Sequence, residues 1–159
     1  MAGMITLRFV SHPGIFDWAA RIAQYGFWCT HCEAVMPDGT YLGAISDGVK
    51  ARIPGYDAGH FSKEMFLHVN ATPDQEAIFY AFLESQIGKP YDTWAVISFF
   101  WPSRDWQEMD AWDCSELQGT ALGECGILPK HMAVKFSRIT PRDLLLLIST
   151  RTEAGENVG

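Results

Sequence analysis

The chain reads as an α+β protein, an antiparallel sheet packed by helices, and three observations carry that reading. In the first half, short β-like runs such as "TYLGAI" and "VKARIP" are separated by hairpin-type breaks such as Ser46-Asp47-Gly48. In the second half the pattern turns helical, with Thr-Pro pairs standing at two of the starts. A length of 159 residues at 48% hydrophobic composition fits one compact domain able to bury its own core. That domain is expected to span 1–150, with "RTEAGENVG" at 151–159 as a frayed tail.

Taken in order, "MITLRFV" alternates apolar and polar side chains and predicts a first strand. "GIFDWAARIAQYG" then has helical spacing through Ile15, Trp18, Ala19 and Ile22, closed by Gly26. Three β-like runs follow, "WCTHCEAVM", "TYLGAI" and "VKARIP", divided at Pro37-Asp38-Gly39 and Ser46-Asp47-Gly48. Beyond the loop "PGYDAGH", the run "EMFLHV" predicts another strand and completes an antiparallel meander. Thr72, Pro73 and Gln75 form a capping-box start for a helix whose inward stripe is expected at Ile78, Phe82 and Leu83, ending at Gly88 and Pro90. "YDTWAVISFFW", the segment from Cys114, and "TPRDLLLLI" are three further helical candidates.

Charge and composition exclude several classes. With 12 Lys+Arg against 19 Asp+Glu the chain carries −7, and it has no basic run, so nucleic acid is not an expected partner. The longest uncharged apolar stretch, "TWAVISFFWPS", is about half of the roughly 20 residues that a membrane-spanning helix needs. "MAGMITLRFV" has no basic n-region followed by an apolar h-region, so it does not read as a signal peptide, and a cytoplasmic location is expected. Without such a signal, the four cysteines argue for reduced thiols and against a disulfide framework.

One of those thiols stands where chemistry is possible. In "WDCSELQGTALGEC", Cys114 opens a helical segment, and a helix start offers partial positive charge and unpaired N–H groups that favour a thiolate. The bland alternative is a small buried hydrophobe. Asp113 and Glu116 oppose the thiolate electrostatically, although Asp113 can instead cap the helix.

A thiolate nucleophile needs a base, usually a histidine held by a third polar group. His12, in a Ser-His-Pro-Gly turn, His60, in a Gly-bearing loop, and His131, after Pro129-Lys130, read as solvated. His68 lies in "EMFLHV" on the face opposite Met65, Leu67 and Val69, and reads as a half-buried structural residue. His31 differs, because a period of two puts Cys29, His31 and Glu33 on one strand face. The same stretch contains "CTHC", which in other contexts binds zinc or cycles as a dithiol. Here it lacks the helix start of a redox pair, and Cys114 and Cys125 do not supply the second closely spaced pair of a zinc knuckle. No cofactor or metal is expected.

With His31 on an early strand and Cys114 at a later helix start, the sequence resembles the permuted branch of the NlpC-type papain-like cysteine amidases, the YiiX-like proteins. The resemblance rests on "THCEAVMPDGTYLGAISDGVKAR", "IGKPYDTW" and "WDCSEL", with "ITPRDLL" as a closing element. It implies a permuted papain-like fold, Cys114 as nucleophile and His31 as general base. Relatives commonly carry an acidic residue or a second histidine on the following strand, where this chain has Tyr41-Leu42-Gly43-Ala44. Gly43 cannot orient an imidazole, so Glu33 is the nearest candidate for the third role and Asp47 the reserve. Phage-type members are similar in pairing a histidine with a glutamate two residues on, which suggests a phage or prophage origin.

The resemblance implies a thiol-dependent hydrolase cleaving an amide, with a cell-wall-type peptide as the expected substrate. The alternative is an acyltransferase or thioesterase acting on acyl or lipid substrates, for which Trp28, Trp94, Phe99, Phe100, Trp101, Trp106 and Trp112 could line a groove or simply fill the core. A non-catalytic binding module is the third reading.

Overall fold

A computed structural model of the chain describes residues 3–13, 21–22, 24–92, 112–129 and 139–150. Strands β1 (Gly3–Ser11), β2 (His31–Val35), β3 (Tyr41–Ile45), β4 (Gly48–Arg52) and β5 (Lys63–Ala71) form one antiparallel sheet in the order β4-β3-β2-β1-β5. Three helices with defined bounds, among the described residues, accompany it: α1 (Pro73–Ser85), α2 (Cys114–Glu124) and α3 (Pro141–Ser149). The α+β class and the antiparallel sheet are as the sequence predicts, but β5 does not continue the meander beyond β4: the chain returns to the opposite edge, where β5 pairs with β1.

The alternation of β1 decides where the core sits. Ile5, Leu7 and Phe9 are fully buried, and with Ala34, Leu42, Ala44 and Val69 they meet Phe79 and Leu83 of α1 and Leu117, Ala121 and Leu122 of α2. Burying each larger aliphatic or aromatic side chain contributes about 1.5–3 kcal/mol. The other face of β1 is not left to solvent at its C-terminal end. Arg8 is buried there beneath the rings of Tyr41, Tyr56 and Phe61, so the 53–62 loop folds back over the sheet.

Local chemistry sets the helix starts. Thr72 caps α1 in a reciprocal box with Gln75, Pro73 takes the first turn, and Thr140, Pro141 and Asp143 repeat the arrangement at α3. The inward stripe of α1 differs from the expected one. Phe79, Tyr80 and Leu83 are buried while Ile78 is exposed, because the helix is turned to seat Tyr80, whose hydroxyl donates to the Val35 carbonyl at 3.1 Å. Phe82 is half-buried, packed edge-on to Trp112. The helix itself ends at Ser85 with Gln86 as its cap, slightly before the expected Gly88.

Two expectations fall largely outside the described residues. Of the helix predicted from "GIFDWAARIAQYG", only the end is described, where Gly26 at φ 81° donates to the Arg21 carbonyl at 2.7 Å, a closing turn that needs a glycine-like backbone. The helix predicted from "YDTWAVISFFW" and the tail 151–159 lie outside it. Among the described residues no helix is long and apolar enough to cross a membrane.

Candidate active site

Cys114 is the first residue of α2, and the residue before it makes the helix start. Asp113 is extended and its Oδ1 accepts from the Ser115 and Glu116 N–H groups, each at 2.8 Å, while the Leu117 N–H goes to the Asp113 carbonyl. Ser115 fastens the turn by donating to the Ile139 carbonyl at 2.7 Å. Gln118 ties the next turn to the sheet through the Leu42 carbonyl at 2.9 Å. The capping option for Asp113 is therefore the one the fold uses. Its carboxyl is nevertheless pushed well above the usual range, by burial first and by the Cys114 charge second.

The docked helix brings Cys114 to the start of β2. There its thiol is close enough to Cys32 and His31 for both to act on its ionisation. The His31 Nε2 stands 3.5 Å from Glu33 Oε2. Cys114, His31 and Glu33 are thus brought together. The nearness of Cys32 first, against burial, and of His31 next hold the Cys114 thiol well below its ordinary value. His31, against the same burial, is raised to about 10 by Cys114 and Glu33. Both shifts favour the thiolate–imidazolium form of the pair.

Glu33 is held by more than the histidine. Arg8, directly opposite it in the β1–β2 register, donates from Nη1 to Glu33 Oε1 at 2.5 Å, and Tyr56 Oη donates to Oε2 at 3.2 Å. Burial would raise this carboxyl, yet His31 and Arg8 keep it below its ordinary value. A Cβ placed on Gly43 would lie 2.8 Å from the Glu33 Cβ, so this glycine makes room for the side chain it cannot replace. The reserve candidate, Asp47, is exposed and ion-paired with Lys50 and Arg52.

Arg8 was not visible as a site residue in the sequence. Its guanidinium reaches Glu33, Asp57 at 3.0 Å and Glu64 at 2.5 Å, and it is itself buried. Burial works against its charge, and Asp57, Glu33 and Glu64 in turn raise its proton affinity. Asp57 holds a second histidine, His12, through Nε2 at 3.0 Å. The His12 ring is 5.8 Å from that of His31. The expectation of a solvated His12 is corrected, since it is half-buried and one contact from the same ionic network. The only sequence signal was its place at the end of β1, next to the strand that carries His31.

The remaining histidines separate. His68 is exposed, not half-buried, because its face of β5 is open there, and its Nδ1 pairs with Thr6 Oγ1 at 3.0 Å. His60 is exposed and His131 lies outside the described residues. Cys29 precedes β2, which starts only at His31, so it does not share the strand alternation expected of it; its thiol donates to the His31 carbonyl at 3.3 Å. All four thiols are free and buried, and among the described residues no three His, Cys, Asp or Glu side chains group as metal ligands. Of the aromatic residues considered for an acyl groove, only Trp28 and Trp112 are described, both half-buried against the core. No family model and no curated protein matches this chain.

Proposed function

We propose that the protein is a thiol-dependent hydrolase that cleaves an amide bond, in a permuted papain-like arrangement, with a cell-wall-type peptide as substrate. The observation that supports it most is a thiol at a helix start beside a buried imidazole whose Nε2 faces a carboxylate. Cys114 as thiolate attacks the amide carbonyl. The Cys114 N–H, at the first position of the helix, supplies a donor for the oxyanion that forms. The His31 imidazolium gives its proton to the departing amine, and a thioacyl-enzyme remains. The neutral imidazole then takes a proton from water as that water attacks the thioester, returning acid product and thiolate. Glu33 positions the imidazole, and Arg8 positions Glu33.

The test is to incubate the protein with purified cell-wall peptides, following new amino groups and the mass of the enzyme. Appearance of amine together with an acyl adduct on Cys114, both lost in Cys114→Ser, is the expected result. Turnover that survives in Cys114→Ser would reject the nucleophile. Consumption of acyl thioesters or lipid esters with amides untouched would select the acyl-transfer chemistry in its place.

A further inference from the structure

The proposed mechanism leaves His12 without a task, although its ring centre lies 5.8 Å from that of His31, with the two planes tilted by 46°. Its place at the end of β1 is fixed by the backbone. Val10 is opposite His31 in the β1–β2 register, and the Thr30 N–H donates to the Val10 carbonyl at 2.9 Å. The His12 N–H in turn donates to Thr30 Oγ1 at 3.1 Å. Pro13 follows, which favours an extended backbone at residue 12.

The ring is oriented as well as placed. Its Nε2 lies 3.0 Å from Asp57 Oδ2. Burial would raise the Asp57 carboxyl, but Arg8 and then His12 hold it below its ordinary value. A carboxylate only accepts, so Nε2 carries the proton and the neutral ring presents Nδ1 as an acceptor. That nitrogen has no protein partner among the described residues. The His12 side chain keeps 21% of its surface exposed against 6% for His31, so solvent reaches it first. A water hydrogen-bonded at about 2.9 Å to each of two nitrogens joins atoms roughly 4.7 Å apart. Two imidazoles with centres 5.8 Å apart accommodate that span.

We infer that His12 positions the water that hydrolyses the thioacyl-enzyme, its Nδ1 accepting one O–H of that water while His31 takes the proton of the other. This rests on the proposed function for the acyl group on Cys114 and for His31 as base. In the step, the water oxygen bonds to the thioester carbonyl carbon as one of its protons passes to His31. The C–S bond then breaks with its electron pair on the Cys114 sulfur. The second O–H leaves as the hydroxyl of the acid product, and His12 ends as it began.

Asp57 thus does for His12 what Glu33 does for His31, and Arg8 joins the two carboxylates. The consequence is a choice of acyl acceptor. A site that holds water in line with the thioester hydrolyses its acyl-enzyme, whereas one without that hold gives the acyl group more readily to a competing nucleophile.

The experiment acylates the full chain with p-nitrophenyl acetate, in water alone and with hydroxylamine as a competing acceptor. Mass spectrometry follows the acetyl adduct on Cys114, with Cys114→Ser as the blank, and the products are assayed as acetate and acetohydroxamate. His12→Gln keeps a donor for Asp57 but removes the ring acceptor. It is expected to form the adduct at the parent's rate and to lose it to water on the order of 10²-fold more slowly, while hydroxylamine clears it as it clears the parent's. Product therefore shifts from acetate to acetohydroxamate. If His12→Gln does not fold, His12→Ala takes its place, with added imidazole expected to restore hydrolysis. Acylation, hydrolysis and aminolysis slowed by one common factor, an unchanged ratio of the two products, or no rescue by imidazole would each overturn the inference while leaving Cys114 as nucleophile. A parent protein that forms no adduct on Cys114 would instead reject the nucleophile, and the role of His12 with it.

Discussion

Gly43→Ala tests the site through a residue that makes no polar contact with it. The added methyl carbon would sit 2.8 Å from the Glu33 Cβ and 3.5 Å from the Glu33 Cα and the Cys32 carbonyl oxygen. Non-bonded carbons settle at about 3.5–4.0 Å, so β2 and β3 must part locally by at least about 0.7 Å. The Nε2–Oε2 separation between His31 and Glu33 is already 3.5 Å, leaving no slack before the contact is lost. Overpacking of this kind costs about 1–3 kcal/mol, of which the loss of a strand glycine returns about 0.5–1 kcal/mol. A net destabilisation of about 0.5–2 kcal/mol is expected by urea unfolding, read from the midpoint at constant slope. A displacement near 1 Å in a positioning group costs about 10²-fold in rate, so turnover falls and the pH midpoint of Cys114 alkylation rises. Ala44→Gly, one residue on and facing the core, controls for general damage: it lowers stability without moving the alkylation profile. A Gly43→Ala protein as stable as the parent and with the same alkylation profile would refute the packing argument and the orienting role of Glu33 with it.

Further outcomes follow from the same geometry. Glu33→Gln is expected to lower turnover by up to about 10⁴-fold, as when a triad carboxylate becomes an amide, and to reduce stability because it also deprives Arg8 of a partner; Asp47→Asn leaves turnover alone, and steady-state kinetics on both variants decides between them. Arg8→Met strands three carboxylates and should cost about 3–5 kcal/mol in urea unfolding. The Cys114 alkylation rate should be flat across neutral pH, since its lowered value keeps it ionised there. His31→Asn should move the midpoint up towards the ordinary thiol value of about 8.5. For stability the sign is opposite on the two sides of the pair. The His31 contribution is complete below its ordinary value and is lost as pH rises through about 10, while the Cys114 contribution is present above its ordinary value and is lost as pH falls through its lowered one, so urea midpoints should decline at both extremes.

The parts of the molecule that could be read from the sequence are those whose chemistry is local. Thr72-Pro73 and Thr140-Pro141 start helices through groups within three residues, and the hairpin breaks between β2, β3 and β4 act over similarly short spans. The His31–Glu33 juxtaposition is also local, a consequence of the two-residue strand period. Arg8 was illegible for the opposite reason. In an alternating strand a charged residue reads as solvent-facing, and only the returning 53–62 loop makes its position interior. Its partners, Glu33, Asp57 and Glu64, come from three separate segments, and no spacing rule connects them. The same holds for His12 and Asp57, whose pairing depends on that loop. The approach of the Cys114 end of α2 to the sheet depends on how that helix docks, which no short motif encodes.

Arg8 also changes what Glu33 can do. A buried carboxylate with only an imidazolium for company would bind that proton tightly, because giving it up would leave an uncompensated charge in a dry interior. Such a site holds its base protonated and resists delivering the proton to a leaving amine. With Arg8 at 2.5 Å and the Tyr56 hydroxyl at 3.2 Å, the Glu33 charge remains compensated whichever state His31 is in. The carboxylate can then fix the ring through Nε2 while its own charge stays compensated after the proton leaves. Arg8 in turn tolerates burial because Asp57 and Glu64 share its remaining donors, and Asp57 is steadied by His12. The histidine next to the thiol can therefore give up its charge to a leaving group without leaving Glu33 unpaired, which is an electrical condition that acid–base exchange at Cys114 requires.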